Sequence, residues 1–303
     1  MSLRQIVAIL GGDLYQNGFR ANVRAPGHGK ADRSVSLLLD GGRVIIHTFG
    51  AADWREVRDD LRRRGLVDDG GRLIGVAETP DRLVIDCPRR QAIAGALWQD
   101  GAGPARTGVV ARHLAVRGVA WREDLADLLE HPSAPFSVYR PGSRAGRAMM
   151  AGIRAPSGDI TAVELTYLAT NGQVASGLRV PRKTVGQVPP GSAVRLRPAA
   201  ARMLVAEGVV TTLSAMARFD LPGWALMSAG NLSRWRAPDD VGAVLIAGDC
   251  GPTGEAAALR LARRLRRQGV KATLAFPPAP FSDWNEAAQG REESGKEGRG
   301  RAP

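Results

Sequence analysis

Three carboxylates stand where a chain could do chemistry: Glu207, Asp249 and Asp283. Each follows an apolar run. Residues 203–206 lead into Glu207-Gly208, residues 243–248 end on Asp249, and residues 270–276 precede a proline-rich turn and Asp283-Trp284-Asn285. Short apolar runs joined by helical segments predict parallel strands with crossover helices. In such sheets ligands bind beyond the carboxyl ends of the strands. Carboxylates gathered there point to a divalent cation, and hard oxygen ligands suit magnesium, commonly held by one or two carboxylates plus substrate phosphates.

The elements that must position these groups follow from the same stretch. Gly208 is expected to let the strand turn tightly into a helix. Residues 224–227 read as a further strand. Residues 254–268 read as a two-faced helix, with Ala258, Leu261 and Leu265 on one side and Arg260, Arg263, Arg264 and Arg267 on the other, closed by Gly269. Glu255, on its first turn, is a further candidate metal ligand or a partner of the helix dipole. Cys250 is expected to be inert toward magnesium, which prefers oxygen. Upstream, Arg179, Arg182, Lys183, Arg195, Arg197 and Arg202 crowd a Gly/Pro-rich stretch, and the first five, with Arg260 and Arg264, are candidates for phosphate contact on nucleic acid or nucleotide.

Before that lies a middle region with helices expected at 92–98, 109–117 and 125–129, then strands at 136–139, 148–153, 160–169 and 174–176. The front reads as a helix at 3–10, a strand at 19–23, and a hairpin of 36–39 and 44–49 around Asp40-Gly41-Gly42-Arg43. A helix then starts at an Asp53 cap. Gly29-Lys30 is no phosphate loop, because Ala31 and Arg24 occupy positions that motif reserves for Ser or Thr and for Gly. Residues 68–90, with Cys87, read as a linker. Residues 288–303 are charged and core-poor and read as a disordered tail.

The whole chain of 303 residues carries 42 Lys and Arg against 30 Asp and Glu, a net charge of +12, which predicts contact with a polyanion. Two cysteines give no disulfide framework and predict a reducing compartment. No apolar stretch approaches the roughly 20 residues of a membrane helix, and the first ten residues lack a signal-peptide core. A cytoplasmic protein without a membrane partner is expected.

The order of parts resembles Toprim-domain DNA primases of the phage and plasmid type. Residues 204–215 resemble the first Toprim motif, a strand ending in Glu-Gly. Asp249-Cys250-Gly251 resembles the Asp-x-Asp motif, with Gly251 in place of the second aspartate. Residues 277–286 resemble the closing element with its Asp-Trp-Asn. His113-Leu114-Ala115-Val116-Arg117-Gly118 is similar to a Tyr-Leu-x-x-Arg-Gly element of the primase core, and Arg182-Lys183 to a basic pair upstream of Toprim. At the front, Pro26-Gly27-His28, Ser34-Val35-Ser36 and Asp53-Trp54 resemble a zinc ribbon. Only His28 and His47 remain of a ligand set that needs four, so zinc is not expected.

The resemblance implies an α/β fold: a Toprim Rossmann-like parallel sheet with helices over 201–287, an α+β primase-core subdomain over 91–200, and a small β-rich zinc-ribbon-like module over 1–67. It implies a DNA replication enzyme that joins ribonucleotides into short primers on single-stranded DNA. Glu207, Asp249 and Asp283 would be the catalytic groups and would organise Mg2+ or Mn2+. Nucleoside triphosphates would be substrates and a replicative helicase a partner. The alternative is a catalytically reduced Toprim protein that binds nucleic acid in replication or mobile-element maintenance, favoured by Gly251 and the missing zinc ligands.

Overall fold

The computed structural model describes residues 1–48, 53–75, 87–139, 142, 144–178 and 180–290. The chain divides into two compact units, Met1–Ile85 and Asp86–Pro303.

The first unit opens with α1 (Leu3–Leu10), capped by the Ser2 side chain. A four-stranded antiparallel sheet follows in the order β1 (Gly12–Tyr15), β2 (Arg20–Val23), β3 (Val35–Asp40) and β4 (Arg43–Thr48). The Asp40–Arg43 pair closes the expected hairpin. Helix α2 (Trp54–Arg63) starts where the Asp53 carboxylate accepts from the Arg55 N–H. Alternating buried residues of β2 and β3 meet Leu3, Ile6, Val57 and Leu61 in one core. Residues 67–73 are not a free linker. Val67 bridges Leu73, Arg72 bridges Arg43, and Leu73 is buried. Residues 76–86 of the predicted linker lie outside the described residues, as do residues 291–303 of the predicted tail.

The second unit begins with α3 (Cys87–Gln99), so Cys87 starts a helix, and continues with α4 (Val109–Val116). An antiparallel sheet runs β5 (Leu128–Pro135), β6 (Ala145–Arg154), β7 (Ile160–Tyr167) and β8 (Arg182–Gly186). Successive β6 side chains enter different cores. Ala148 and Met150 join Ala94 and Leu97 of α3, whereas Met149, Ala151 and Ile153 join Val110 and Leu114 of α4. A strand buried on both faces reads as a continuous apolar run, which is why its sequence shows no alternation.

Several expected elements differ. Residues 125–129 are not a helix. Asp127 is pinned by the Arg154 guanidinium and the Arg195 N–H, and β5 starts at Leu128. Pro132 falls where the β5–β6 register shifts between His131 and Ala134, a place that tolerates a missing N–H. Residues 136–139 are a bend, and residues 174–176 contribute one bridge, Val174 to Leu168.

The chain then builds β9 (Val194–Arg195), β10 (Arg202–Ala206), α5 (Val209–Phe219), β11 (Gly223–Ala225), α6 (Ala229–Leu232), β12 (Ala243–Ala247), α7 (Pro252–Arg267) and β13 (Lys271–Ala275). The sheet order is β13-β12-β10-β11-β9, with every pair parallel except β11–β9. Strand β10 is followed by its neighbour on one side, and the chain then crosses to β12 on the other. Alternate residues therefore pack on different helices. Leu204, Ala206, Leu245 and Ala247 meet α5, and Met203, Val205, Val244 and Ile246 meet α7. The carboxyl ends of β10 and β12 form the switch point of a doubly wound sheet.

Candidate active site

Glu207 and Asp249 sit just beyond β10 and β12, the two strands that flank the switch point. The Glu207 carbonyl accepts from the Met227 N–H at 2.8 Å, tying its position to the end of β11. Burial raises the Glu207 carboxyl above its ordinary range, and a hydrogen bond from the Ala229 backbone partly offsets this. Gly208 has φ −94°, an extended conformation open to any residue, so the strand enters α5 without needing glycine's freedom.

Asp249 is the electrostatic centre. Its pKa is raised from 3.8 to about 7, first by burial and then by the charges of Glu207 and Asp283. Its Oδ1 is buried with no hydrogen-bond partner among the described residues. The chain then turns through Gly251 at φ 109°, ψ 159°, a backbone region that only glycine occupies comfortably. A Cβ on Gly254 would lie 2.6 Å from the Asp249 carbonyl, so α7 can start this close only with glycine there.

Asp283 arrives on the closing segment. Its Oδ1 accepts from the N–H groups of Asn285 and Glu286, at 2.7 and 2.8 Å, and so caps the helical residues 284–290. The Cys250 N–H donates to the Ser282 carbonyl at 2.8 Å, which holds this segment beside the Asp249 loop. The next two residues anchor it. Trp284 packs edge-on against Phe219 of α5, with ring centroids 5.0 Å apart. Fully buried Asn285 donates from Nδ2 to the Arg117 carbonyl at 2.6 Å and to Ser214 Oγ at 3.0 Å. The Asp-Trp-Asn sequence thus reads as a carboxylate followed by two groups that fix its position. Asn285 and Arg117 were not among the expected site residues. The likeness of 113–118 to a primase-core element was the signal for Arg117.

The charges of Glu207 and Asp283 both act on Asp249, and Glu255 is not among the groups that do. The Glu255 Oε1 accepts from the Gly251 N–H at 3.0 Å, closing the start of α7. Among the described residues no group of three or more His, Cys, Asp or Glu is gathered to grip a metal. The orphaned Asp249 oxygen and the like charges around it fit a cation held by one or two carboxylates and by the ligand's own phosphates. They do not fit a ready-made cage.

The candidate basic residues separate. Arg182 and Lys183 are neighbours on β8 and point to opposite faces. Lys183 Nζ donates to the Phe136 carbonyl at 2.7 Å and lies 4.9 Å over the Tyr167 ring, and burial pushes its pKa down. Arg182 is exposed, and its charge acts on His113 and Glu164. Arg195, Arg197 and Arg264 line a different cleft, and Arg260 is exposed on α7. Arg179 lies outside the described residues.

In the front unit His28 lies in the turn between β2 and β3, and His47 lies on β4. His28 Nδ1 lies 3.1 Å from Asp32, which also accepts from the Ala25 N–H and from the Ser34 N–H and Oγ. His47 stands opposite Ser36.

Residues 202–293 match the family model of the Toprim domain, and residues 88–196 match that of a domain of unknown function, DUF7146. No curated protein matches the chain. Similar solved structures include the primase fragment of the bacteriophage T7 primase-helicase protein, at 15% identity, TM-score 0.40, covering 90% of this chain and 96% of that one. Another is the Aquifex aeolicus primase with its zinc-binding and RNA polymerase domains, at 12% identity, TM-score 0.44, covering 98% and 82%. A DNA primase domain from Pseudomonas aeruginosa aligns at 17% identity, TM-score 0.41, covering 67% and 74%. No helix among the described residues is long and apolar enough to cross a membrane.

Proposed function

We propose that this chain, which carries a Toprim domain at 202–293, is a primase-type nucleotidyltransferase that joins ribonucleotides on single-stranded DNA. The observation that carries the reading is Asp249, a switch-point carboxylate raised to about 7 by burial and by Glu207 and Asp283. Asp249 and Asp283 would hold magnesium or manganese together with nucleotide phosphates. Bound there, the cation would neutralise phosphate charge and orient the attacking oxygen. Glu207, itself raised, takes the proton from the primer 3′-hydroxyl as that oxygen attacks the α-phosphorus and pyrophosphate departs. Arg182 offers the exposed cation for template phosphates. Such a protein would serve replication of a mobile element in the cytoplasm beside a helicase.

A second reading, a nucleic-acid-binding protein without polymerisation, is favoured by Gly251 and by the absence of a three-ligand group among the described residues. One assay separates the two: single-stranded DNA, labelled ribonucleotides, and Mg2+ or Mn2+. The enzyme reading expects oligonucleotide products that Glu207→Gln reduces by at least about a hundredfold, the usual scale for a general base. DNA binding with no product under either metal leaves the second reading. In that case Gly251→Asp asks whether the absent aspartate is the cause. A Cβ at that position meets nothing within 4 Å, so the cost of the substitution is backbone strain of about 1–3 kcal/mol rather than a clash.

A further inference from the structure

A second cleft, about 990 Å³ in volume, opens on the α7 side of the parallel sheet, and none of the three carboxylates lines it. Six arginines do: Arg154, Arg195, Arg197, Arg234, Arg236 and Arg264. Its one acid is Asp127, already held by Arg154 at 2.8 Å and by the Arg195 N–H at 3.0 Å. Arg197 is paired with Asp124 at 2.9 Å. Of the other four, Arg195 also feels the Asp127 charge, whereas Arg234, Arg236 and Arg264 have no carboxylate partner among the described residues.

Three of those four are fixed in place by neutral groups. Arg195 Nη2 donates to the Ala155 carbonyl at 3.1 Å, and its guanidinium lies 4.7 Å over the Trp224 ring. Arg234 Nε donates to the Gly230 carbonyl at 3.1 Å, and Arg264 Nη1 to the Ser233 carbonyl at 2.8 Å. This leaves donors unused in the interior: Arg195 Nε and Arg264 Nε and Nη2 are buried without a partner. Burial lowers the Arg264 pKa, and the charge of Arg236 lowers it further. Partly buried cations with idle donors, here Arg195 and Arg264, destabilise the fold unless an anion joins them. The guanidinium fork matches phosphate oxygens in pairs.

The shape of the cleft narrows the choice of anion. It is a concavity at the upper end of the range for small ligands, about 300–1,000 Å³. Strand binding uses open aromatic platforms, and here both tryptophans are engaged. Trp224 carries Arg195 on its face and donates its Nε1–H to the Arg197 carbonyl, and Trp235 is buried. We propose that this cleft is a binding site for a compact oligophosphate anion, a chain of two to four phosphates, separate from the carboxylate site. The proposal does not depend on polymerase activity.

The test is calorimetric titration of the full chain, without divalent metal, by orthophosphate, tripolyphosphate, ATP and a short single-stranded oligonucleotide. Tripolyphosphate and ATP are expected to bind at least about tenfold more tightly than orthophosphate, a difference of about 1.4 kcal/mol. Equal affinity for the two assigns the site to the phosphate chain, and tighter ATP binding assigns it to a nucleotide tail. Arg236→Ala removes a side chain with no partner among the described residues, so it should leave the circular dichroism unchanged and weaken binding about tenfold. Arg264→Gln should do the same, and Glu207→Gln should leave binding intact. The proposal falls if neither arginine variant weakens binding or if Glu207→Gln removes it. It also falls if the oligonucleotide, at equal phosphate count, binds more tightly than tripolyphosphate and competes with it.

Discussion

Asp249 shows how one residue reports on a whole site. In the folded chain it keeps its proton up to about pH 7, against an ordinary 3.8. Between those values the folded state binds more protons than the unfolded one, so this group makes stability fall as pH rises. A cation has the opposite preference, since it binds the ionised form. The melting temperature without metal should therefore fall between pH 5 and 8 through this group. The increase produced by millimolar Mg2+ should be larger at pH 8 than at pH 6. Asp249→Asn should raise the metal-free melting temperature at pH 8 and abolish most of the Mg2+ response. Thermal unfolding monitored by circular dichroism measures both. An identical Mg2+ shift at the two pH values would break the link between the raised carboxyl and the metal.

At the scale of elements, the turn between β2 and β3 is organised by a side chain. Burial pushes the Asp32 carboxyl up, but hydrogen bonds from Ala25 and Ser34 and the nearby His28 more than offset it, leaving it below the ordinary range. Stability drawn from a depressed carboxyl is present above its unfolded pKa and lost as pH falls through its folded one. Asp32→Ala should destabilise the front unit by about 1–3 kcal/mol, the range for leaving buried donors unmatched. The loss should shrink below pH 4, and urea unfolding at pH 7 and pH 3 tests it. This turn also shows what sequence could not convey. The hairpin, the Asp53 cap and the parallel strands were legible because each rests on local chemistry or periodicity. Glu207 and Asp249 stood out because each closes an apolar run, and Asp283 because it follows one across a proline-rich turn. By contrast, β5 was hidden because its identity depends on Arg154, distant in sequence, fixing Asp127. The pairing of Lys183 with Phe136 and the reciprocal cap made by Glu255 were likewise invisible until neighbouring backbone was in place.

At the scale of the molecule, a net charge of +12 predicts polyanion binding but not which cations take part. The fold sorts them. Lys183 is committed to internal partners, and the cleft arginines converge on a concavity away from the carboxylates. Arg182 is exposed, as are Arg260, Arg263 and Arg267 along α7. Only exposed cations can displace counterions from a strand, and each phosphate neutralised on single-stranded DNA contributes about 0.7 to the slope of log affinity against log salt. Fluorescence anisotropy with a labelled oligonucleotide between 50 and 200 mM salt should therefore give a steep slope, and Arg182→Ala should reduce it by about 0.7. Lys183→Ala should leave the slope unchanged but lower the melting temperature, because it deprives the Phe136 carbonyl of its donor and Tyr167 of its cation. If Lys183→Ala lowered the slope and Arg182→Ala did not, the strand would run over the other face of β8. The proposed contact of Arg182 with template phosphates would then be wrong.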